Sequence, residues 1–443
     1  MYADALDYLS TFINQKRRDK FVPLDIPRHA LMLLDNPQNA YPIVHITGTK
    51  GKGSVGAMIT SILQEAGLRV GLFSSPHLQD FRERIKINDL LISEAEVVEL
   101  VNRLRPVLAE VPEITWFGAV AMMAFTYFRE MNVDIAIIEA GLGGRYDVTN
   151  VIIPALSVIT SLSYDHMAVL GHSLSEIAYH KAGIIKPGVP VVSALQTAPA
   201  LAVIEKTAHE NHAPLTLIGR DWHFQPCGGN LSVECWRAGD PPQKYQTVLI
   251  GQHQAINGTV ALATVDILRQ QGYPVTQNAI RQGLQQVNWP GRFEIIRENP
   301  RIILDAAHNA DSARWLKRTL AERFSESPRV LVFGAKSDKD IEGMLVELLP
   351  DTDHFIVTLA FDSKAEAPGV IADIARTQGY AGTIEVIPSV SDALVAAQTH
   401  AAAGLVCVTG SLYLVGEVRT LYGLAAGQAV NVLRERNSCL GMA

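Results

Sequence analysis

The amino-acid sequence predicts an α/β protein with two domains, each built around a mostly parallel sheet. Apolar, strand-like segments alternate with segments of helical period through the first 200 residues, and a second alternating set begins near residue 300. Parallel strands need crossover connections, which are usually helical, so this alternation favours parallel sheets. The chain has 443 residues, more than the roughly 100–200 residues of one domain.

Buried strands are expected in the first region wherever apolar and β-branched residues follow one another without polar alternation. Such runs are PIVHIT, RVGLF, DIAIIEA and ALSVITS, at residues 42–47, 69–73, 134–140 and 155–161. A capping box formed by Ser93 and Glu96 starts one helix, because these side chains can satisfy free backbone N–H groups. Helices are expected at residues 53–66, 93–110 and 117–131.

The pattern changes over residues 214–250, where LTLIG, WHFQ, LSVECW and YQTVLI are separated by Gly and Pro. This predicts a small β-rich insert. The next alternating set has strands expected at residues 301–305, 329–333, 354–358, 384–388 and 405–409. Because Pro and Gly interrupt the pattern at WPGRFE, we divide the chain into domains of residues 1–294 and 295–430 and a tail of residues 431–443.

Composition excludes several classes of protein. With 38 Lys+Arg and 45 Asp+Glu the formal net charge is −7, which argues against a general nucleic-acid binder. Hydrophobic residues make up 48% of the chain, too many for a disordered protein, and no apolar run approaches the roughly 20 residues of a membrane helix. The four cysteines form no CxxC pair. We expect a cytoplasmic monomer that binds small molecules and neither nucleic acid nor membranes.

The strongest local signal is a glycine-rich loop between the first expected strand and the first expected helix. Such a loop lets backbone N–H groups surround phosphate oxygens, and the helix N-terminus and a lysine add positive charge. The loop departs from the strict Walker pattern, since Ile46 stands where that pattern has its first Gly. The predicted phosphate-binding residues are Gly48, Thr49, Lys50, Gly51, Lys52, Gly53 and Ser54.

Polar residues follow three of the expected strands and are candidates for holding a metal ion. Glu139 ends DIAIIE, Ser75 follows RVGLF and His166 follows ALSVITS. In open parallel sheets ligands bind beyond the carboxyl ends of the strands, so these three side chains are expected near the phosphate loop. Mg²⁺ prefers oxygen ligands, which makes Glu139 the strongest candidate. Lys181 lies at the end of an expected helix, where a lysine is also favoured simply by the helix dipole.

Taken together, the motifs resemble the folylpolyglutamate synthase/dihydrofolate synthase family of the Mur ligase superfamily. The resemblance covers nearly the whole chain in collinear order. The matching segments are TGTKGKGS (47–54), SSPHL (74–78), EAGLGGRYDVTN (139–150), DHMAVLG (165–171), KAGIIKPG (181–188), GQHQAIN (251–257), PGRFE (290–294), DAAHN (305–309) and TGSLYLVGE (409–417).

The resemblance implies an N-terminal P-loop ATPase domain carrying the β-rich insert and a C-terminal Rossmann-like glutamate-ligase domain. It implies an ATP-dependent ligase that joins L-glutamate to a folate through an acyl phosphate, with ATP and Mg²⁺ as cofactors. The acceptor would be tetrahydrofolate, dihydropteroate or both. The two domains would close over the site and exclude water from the acyl phosphate.

Roles follow residue by residue from the matched motifs. Lys52 would hold the β- and γ-phosphates, while Ser75 and Glu139 would ligate one Mg²⁺ and His166 a second. Lys181 matches the carbamylated lysine of the family, so that Lys52, Glu139, His166 and Lys181 form the expected catalytic set. The resemblance further implies nucleotide contacts by Asn257, Arg292, Asp305 and His308, and folate contacts by Phe117 and Asp147.

The chain departs from the family pattern at several positions. Lys50 stands where the family usually has Asn, and Gly118 where a pterin-side motif usually ends in Glu. The family's Gly-Leu-x-Arg becomes Asp-Ile-Pro-Arg at residues 25–28, and Asp-Gly-Ala-His-Asn-Pro becomes Asp-Ala-Ala-His-Asn-Ala at residues 305–310. These changes weaken the case for a pterin acceptor more than the case for ligation.

Four alternatives remain to be weighed. A cell-wall Mur ligase would carry a further N-terminal domain, and only 47 residues precede Gly48. A P-loop switch or kinase leaves Lys181 and Arg292 unexplained, and retention of Lys52 and Glu139 argues against an inactive paralogue. The fourth alternative, the same ligase chemistry on a non-folate carboxylate, is motivated by Gly118 and the altered segment at residues 25–28.

Overall fold

The computed structural model describes residues 1–13, 23–227, 232–360 and 362–430, and the strands in this part of the chain form three sheets. The expected tail, residues 431–443, lies outside the described residues. No helix among the described residues is long and apolar enough to cross a membrane. The predicted α/β class is confirmed, with two mostly parallel sheets and one small antiparallel sheet.

The first sheet has eight strands. They are β1 (Ile43–Thr47), β2 (Val70–Phe73), β3 (Ile85–Ile87), β4 (Leu90–Leu91), β5 (Ile135–Glu139), β6 (Leu156–Ile159), β7 (Val191–Ser193) and β8 (Leu215–Leu217). Their order is β4-β3-β2-β5-β1-β6-β7-β8, parallel except for the β3–β4 edge. Because β5 and β6 flank β1, the order of connections reverses at β1, where an open sheet forms its ligand crevice.

Helices cover both faces of this sheet, as a parallel sheet requires. On one face α1, α4 and α5 pack over a cluster of buried apolar side chains, and on the other α3, α9 and α10 do so. The predicted Ser93–Glu96 capping box is present. The helices of this region are α1 (Tyr2–Ser10), α2 (Asp25–Leu33), α3 (Lys52–Glu65), α4 (Glu94–Glu110), α5 (Trp116–Glu130), α6 (Met167–Leu170), α7 (Leu174–Ala182), α8 (Ala198–Glu210), α9 (His253–Gln270) and α10 (Gln277–Gln286).

The predicted β-rich insert exists but is smaller than the sequence indicates. Its antiparallel strands are β9 (Trp222–Cys227), β10 (Ser232–Arg237) and β11 (Gln243–Gln246). The LTLIG segment instead supplies β8, which pairs in parallel with β7 of the large sheet. The assignment of LTLIG to the insert was therefore wrong, because α8 provides one more helical crossover before the alternation ends.

The third sheet has six strands in the order β12-β13-β17-β14-β15-β16, with β12 as an antiparallel edge. Its strands are β12 (Glu294–Glu298), β13 (Arg301–Leu304), β14 (Arg329–Phe333), β15 (His354–Val357), β16 (Thr383–Val386) and β17 (Leu405–Thr409), and its helices are α11 (Ala310–Arg323), α12 (Ile341–Leu348), α13 (Pro368–Thr377), α14 (Val390–Ala401) and α15 (Leu412–Leu421). All five predicted strands are present. The division between residues 294 and 295 stays a prediction, and β12 begins at Glu294.

Candidate active site

The glycine-rich loop connects β1 to α3 at the reversal point of the first sheet. Gly51 is the N-cap of α3 and adopts φ 83°, a left-handed conformation that glycine adopts without strain. A Cβ atom on Gly51 would collide with the Asn257 side chain, and one on Gly48 would collide with Thr160. Because these glycines lack side chains, the loop backbone packs directly against Asn257 and Thr160. No side chain of Gly48 or Gly51 covers the backbone N–H groups, which together with the α3 N-terminus can bind an anion.

Two lysines and one glutamate meet beneath this loop. Lys52 Nζ lies 3.6 Å from Glu139 Oε1 and donates to the Gly48 carbonyl at 3.3 Å. Lys181 Nζ donates to the same carbonyl at 2.8 Å. The three side chains lie on α3, at the end of β5 and on α7, so the fold brings together residues far apart in sequence.

Burial changes the protonation of this group. The pKa of Lys181 falls to about 7, because burial disfavours its ammonium form and Lys52 repels it. Burial raises the pKa of Glu139, although the Lys52 ammonium and the Ser75 backbone oppose that shift. The site therefore holds a carboxylate whose charge is incompletely compensated and a lysine with a substantial neutral fraction at neutral pH.

The other two predicted metal ligands face the same space. Ser75 follows β2, and His166 is the N-cap of α6 and adopts a left-handed conformation with φ 50°. Burial is the main cause that lowers the pKa of His166, which favours the neutral imidazole that can act as a ligand. Among the described residues no group of three or more His, Cys, Asp or Glu side chains is arranged to hold a metal ion by itself.

A cavity of about 410 Å³, here called the phosphate-loop cavity, opens above the loop. Residues of the third sheet complete its wall. Asp305, after β13, accepts from the Phe293 and Ala307 backbone N–H groups at 2.9 Å each. All the predicted nucleotide residues line this cavity: Gly48, Thr49, Lys50, Gly51, Lys52, Gly53, Ser54, Asn257, Arg292, Asp305 and His308.

Arg292 and His308 are two further polar side chains that line the phosphate-loop cavity. Arg292 is half-buried; desolvation lowers its pKa, while Asp305 and Glu139 favour the charged guanidinium. Burial lowers the pKa of His308 to about 4, so its ring is neutral at pH 7. Its Nδ1 lies 2.9 Å from the Ala306 carbonyl oxygen, which assigns the proton to Nδ1 and leaves Nε2 as an acceptor.

Two ion pairs join the first and third sheets across this site. Lys50 in the phosphate loop pairs with Asp311 in the first turn of α11. Lys339, before α12, pairs with Asp165 at 3.0 Å. The lysine that departs from the family pattern therefore has an acidic partner in the other half of the molecule.

A second cavity of about 530 Å³, here called the Phe117 cavity, also lies between residues of the first and third sheets. The predicted folate residues Phe117 and Asp147 both line it. Asp147 accepts from Leu142 N at 2.9 Å and from Thr149 N and Oγ1, so it also fixes its own loop. The two cavities share a wall made of Ser75, Pro76, Gly141, Leu142, His166, Arg292 and His308.

Two of the altered positions do not line either cavity. Gly118 is in the first turn of α5, where a Cβ atom would approach Ile114 Cγ1 at 2.7 Å, although Phe117 beside it does line the Phe117 cavity. Asp25 is the first residue of α2, is exposed, and lies 3.3 Å from Arg28. Neither Gly118 nor Asp25 is among the lining residues.

Several lining residues were missed by sequence reasoning. Asp165 had no assigned role although it precedes His166, and the Lys339 that pairs with it lies in a loop without a recognisable motif. Arg84 and Trp315 line the Phe117 and phosphate-loop cavities respectively. For Arg84 the available signal was its position shortly after the Ser-Ser-Pro-His segment.

Comparisons with known proteins agree with this architecture. A family model described as Mur ligase, glutamate ligase domain, matches residues 291–412. The dihydrofolate synthase/folylpolyglutamate synthase of Bacillus subtilis is 35% identical over 406 residues, which cover 87% of this chain and 91% of that protein. The folylpolyglutamate synthase of Lacticaseibacillus casei is 34% identical over 408 residues, with 89% and 93% covered.

Solved structures of the same family are similar to this chain over nearly its whole length. Folylpolyglutamate synthase of Mycobacterium tuberculosis, complexed with ADP and AMPPCP, superposes with a TM-score of 0.88 at 30% identity and covers 96% of this chain and 100% of that one. E. coli FolC in complex with DHPP and ADP gives 0.84 at 28% identity, with 95% and 97% covered. The chain belongs to the folylpolyglutamate synthase/dihydrofolate synthase family.

Proposed function

We propose that the chain is an ATP-dependent ligase that joins L-glutamate to a folate acceptor through an acyl phosphate. The observation that carries this proposal is the shared wall between the phosphate-loop cavity and the Phe117 cavity. A nucleotide in the first cavity and an acceptor in the second would meet at that wall. The ADP and DHPP complex of E. coli FolC supports the same assignment.

In the first step a carboxylate oxygen of the acceptor attacks the γ-phosphorus of ATP. A P–O bond to the acceptor forms, the bond to ADP breaks, and the acceptor becomes an acyl phosphate. Lys52 and the backbone of the loop hold the phosphates in line, and their positive charge stabilises the transferring group. Arg292, on the shared wall, faces the same developing charge.

In the second step the neutral amine of L-glutamate attacks the acyl carbon. The C–N bond forms, the C–O bond to phosphate breaks, inorganic phosphate leaves and the nitrogen loses a proton. Water would compete for the acyl phosphate, so the site must be closed during the reaction. The Lys50–Asp311 and Lys339–Asp165 pairs, which join the two halves at the cavity, are suited to hold it closed.

The residues present fit Mg²⁺. Glu139 offers a buried carboxylate with incomplete charge compensation, Ser75 a hydroxyl oxygen and His166 a neutral imidazole, all lining the phosphate-loop cavity. Mg²⁺ in such sites takes its remaining ligands from nucleotide phosphates and water, which agrees with the small number of protein ligands. When bound, it neutralises charge on the β- and γ-phosphate oxygens.

Lys181 is proposed to carry a carbamate. Its amine, with a pKa lowered to about 7, can attack CO₂, forming a C–N bond and releasing one proton. The product keeps an N–H that can donate to Gly48, as the lysine does now at 2.8 Å. Carbamylation would replace a buried cation beside Lys52 with an anion, which relieves the repulsion between the two lysines.

The acceptor assignment is tested by ADP release with purified enzyme, ATP, Mg²⁺, L-glutamate and one of three acceptors: tetrahydrofolate, dihydropteroate or a non-pterin carboxylate. We expect turnover with tetrahydrofolate, dihydropteroate or both. Mass spectrometry should find the acceptor heavier by one or more glutamyl residues. Turnover with the non-pterin carboxylate alone would contradict the folate assignment and support the same chemistry on another acceptor.

We also propose that the enzyme acts as a cytoplasmic monomer, with domains of residues 1–294 and 295–430. The buried free thiols Cys235 and Cys407 agree with a reducing compartment. The separate sheets support the division into two domains. Light scattering at working concentration tests the monomer.

A further inference from the structure

Arg84 is a buried arginine that the reaction described above does not use. It ends a short 3₁₀ turn, Phe81–Arg84, directly before β3, and is 5% exposed. Its side chain lines the Phe117 cavity but not the phosphate-loop cavity. Its position therefore places it on the acceptor side of the site.

The guanidinium of Arg84 is oriented but carries no carboxylate partner. Its Nε donates to His77 Nδ1 at 2.9 Å, and its Cζ lies 4.6 Å from the centroid of the Trp116 ring. Among the described residues no Asp or Glu oxygen lies within 4.0 Å of its nitrogens. Glu139 and Glu83 stabilise its positive charge only from beyond that distance. Burying a charged group without a direct ionic partner is costly, which is consistent with a partner that arrives with a ligand.

His77 is suited to hold Arg84 in this orientation. Arg84 Nε carries a hydrogen and can only donate, so the His77 Nδ1 that it contacts at 2.9 Å is the acceptor. The ring proton of His77 then lies on Nε2. The remaining Nη groups of Arg84 are left for the cavity.

The other cationic side chains that line the Phe117 cavity already have carboxylate partners in the protein. Lys336 pairs with Asp362 at 2.8 Å and lies over the Tyr413 ring, and Lys339 pairs with Asp165 at 3.0 Å. Arg292 belongs to the wall shared with the phosphate-loop cavity, where Asp305 and Glu139 offset its charge. Arg84 is therefore the cation of this cavity that a new anion would reach without displacing a protein carboxylate.

We propose that Arg84 binds a substrate carboxylate that does not react, and so determines which substrates the Phe117 cavity accepts. The guanidinium fork matches a carboxylate and can bind it through two parallel hydrogen bonds. This inference rests on the proposed ligase function. Two sources share the chemistry: the α-carboxylate beside the reacting group of a glutamylated acceptor, and a carboxylate of the incoming L-glutamate.

The test compares Arg84→Gln with Arg82→Gln, a matched control from the same turn. Arg82 is ion-paired with Asp80 at 2.7 Å and is not a lining residue of either cavity. Steady-state ADP release gives KM for tetrahydrofolate, for its α-carboxamide analogue and for L-glutamate. Loss of a charged partner to a carboxylate should raise one KM by about 30- to 100-fold in Arg84→Gln, with ADP affinity within about twofold of wild type.

The pattern of KM changes identifies the source. If the acceptor supplies the carboxylate, Arg84→Gln raises KM for tetrahydrofolate. The α-carboxamide analogue should already have a high KM with the wild-type enzyme, and Arg84→Gln should not raise it further. If L-glutamate supplies it, KM for glutamate rises and the acceptors are unchanged. Arg84→Lys should recover part of the loss in either case, and it replaces Arg84→Gln in the comparison if that variant does not fold.

Two results would overturn the inference. Arg84→Gln could behave as Arg82→Gln, or it could lower kcat for every substrate with unchanged KM values, as a purely structural role would. Failure of the wild-type enzyme to turn over any folate acceptor is a different outcome, since it contradicts the proposed function itself.

Discussion

The two cavities of this protein are built in different ways. The phosphate-loop cavity takes most of its predicted residues from one continuous segment, Gly48–Ser54, and from short motifs after strands. The Phe117 cavity is assembled from isolated side chains such as Arg84 in a 3₁₀ turn, Lys336 in a loop and Tyr413 in the first turn of α15. On the proposed assignment, phosphate is recognised by backbone N–H groups and charge, whereas the acceptor is recognised by side chains that the tertiary fold brings together.

This difference explains where substrate specificity can change in such an enzyme. Gly48 and Gly51 are held against Thr160 and Asn257, so a substitution in the loop disturbs several contacts at once. The departures at Gly118 and residues 25–28 lie outside the lining of both cavities. We therefore expect substitutions in the phosphate-loop cavity to reduce activity strongly, and substitutions in the Phe117 cavity to change which acceptor is used.

The largest effect is expected at Lys52. Lys52→Ala removes the cation proposed to face the transferring phosphoryl group, and we expect kcat/KM for ATP to fall by about 1000-fold or more. The dependence of ADP release on ATP concentration measures it. Lys206→Ala, at an exposed position on α8, is the control and should leave activity unchanged. A loss below tenfold for Lys52→Ala would remove this lysine from the chemistry.

Lys181→Ala should have the next largest effect. We expect activity to fall by about 100-fold, because the variant cannot supply a carbamate to the metal site. Small carboxylic acids such as acetate should restore part of the activity. For the wild type stripped of CO₂, recovery at a fixed concentration of dissolved CO₂ should become faster as the pH rises through about 7, since only the neutral amine of Lys181 reacts. Unchanged turnover of Lys181→Ala would contradict the carbamate.

A comparison of Gly51→Ala with Gly67→Ala distinguishes the cost of backbone strain from the loss of function caused by a displaced phosphate loop. Both glycines are left-handed, with φ 83° and 85°, but a Cβ on Gly67 meets nothing within 4 Å whereas one on Gly51 meets Asn257. Gly67→Ala should cost about 1–2 kcal/mol of folding stability with normal kinetics. Gly51→Ala should in addition raise KM for ATP by about tenfold. Equal behaviour of the two variants in thermal melts and kinetics would contradict the close packing of the loop.

The smallest effect concerns the Lys50–Asp311 pair. Asp311 is 39% exposed and the pair is partly solvated, so its coupling should be no more than about 1 kcal/mol. A double-mutant cycle with Lys50→Ala and Asp311→Ala, read out as KM for ATP, measures the coupling. Single variants should change KM by a few-fold and the coupling should weaken at high salt. Additive effects would show that the pair does not link the two halves.

Much of the fold was predictable because its signals are local. The strands at residues 329–333 and 405–409 match β14 and β17 to the residue, since unalternating apolar runs mark strands that are covered on both faces. The edge strand β12, antiparallel to its neighbour, was not predicted, because short and partly polar edges carry little signal. LTLIG was misassigned because a three-residue strand at a sheet edge looks the same in either sheet.

The residues of the candidate site also fall into those that local sequence signals indicate and those that depend on tertiary contacts. Glu139 and the phosphate loop were predictable from their places after strands, where the fold class itself fixes the crevice. Lys339 and Arg84 were not, because their roles depend on contacts with Asp165 and His77 that only tertiary packing creates. Lys181 could be named from the family motif, but its lowered pKa follows from burial beside Lys52.

The central claim is that the two cavities meet at a wall where an acceptor carboxylate is phosphorylated before the amide forms. It is tested most directly with an acceptor whose reacting carboxylate carries ¹⁸O in both positions. The account predicts that inorganic phosphate released in one turnover contains one ¹⁸O atom and that the amide product keeps the other. Phosphate without ¹⁸O, from an enzyme that still forms the amide, would contradict an acyl phosphate and the shared site inferred here.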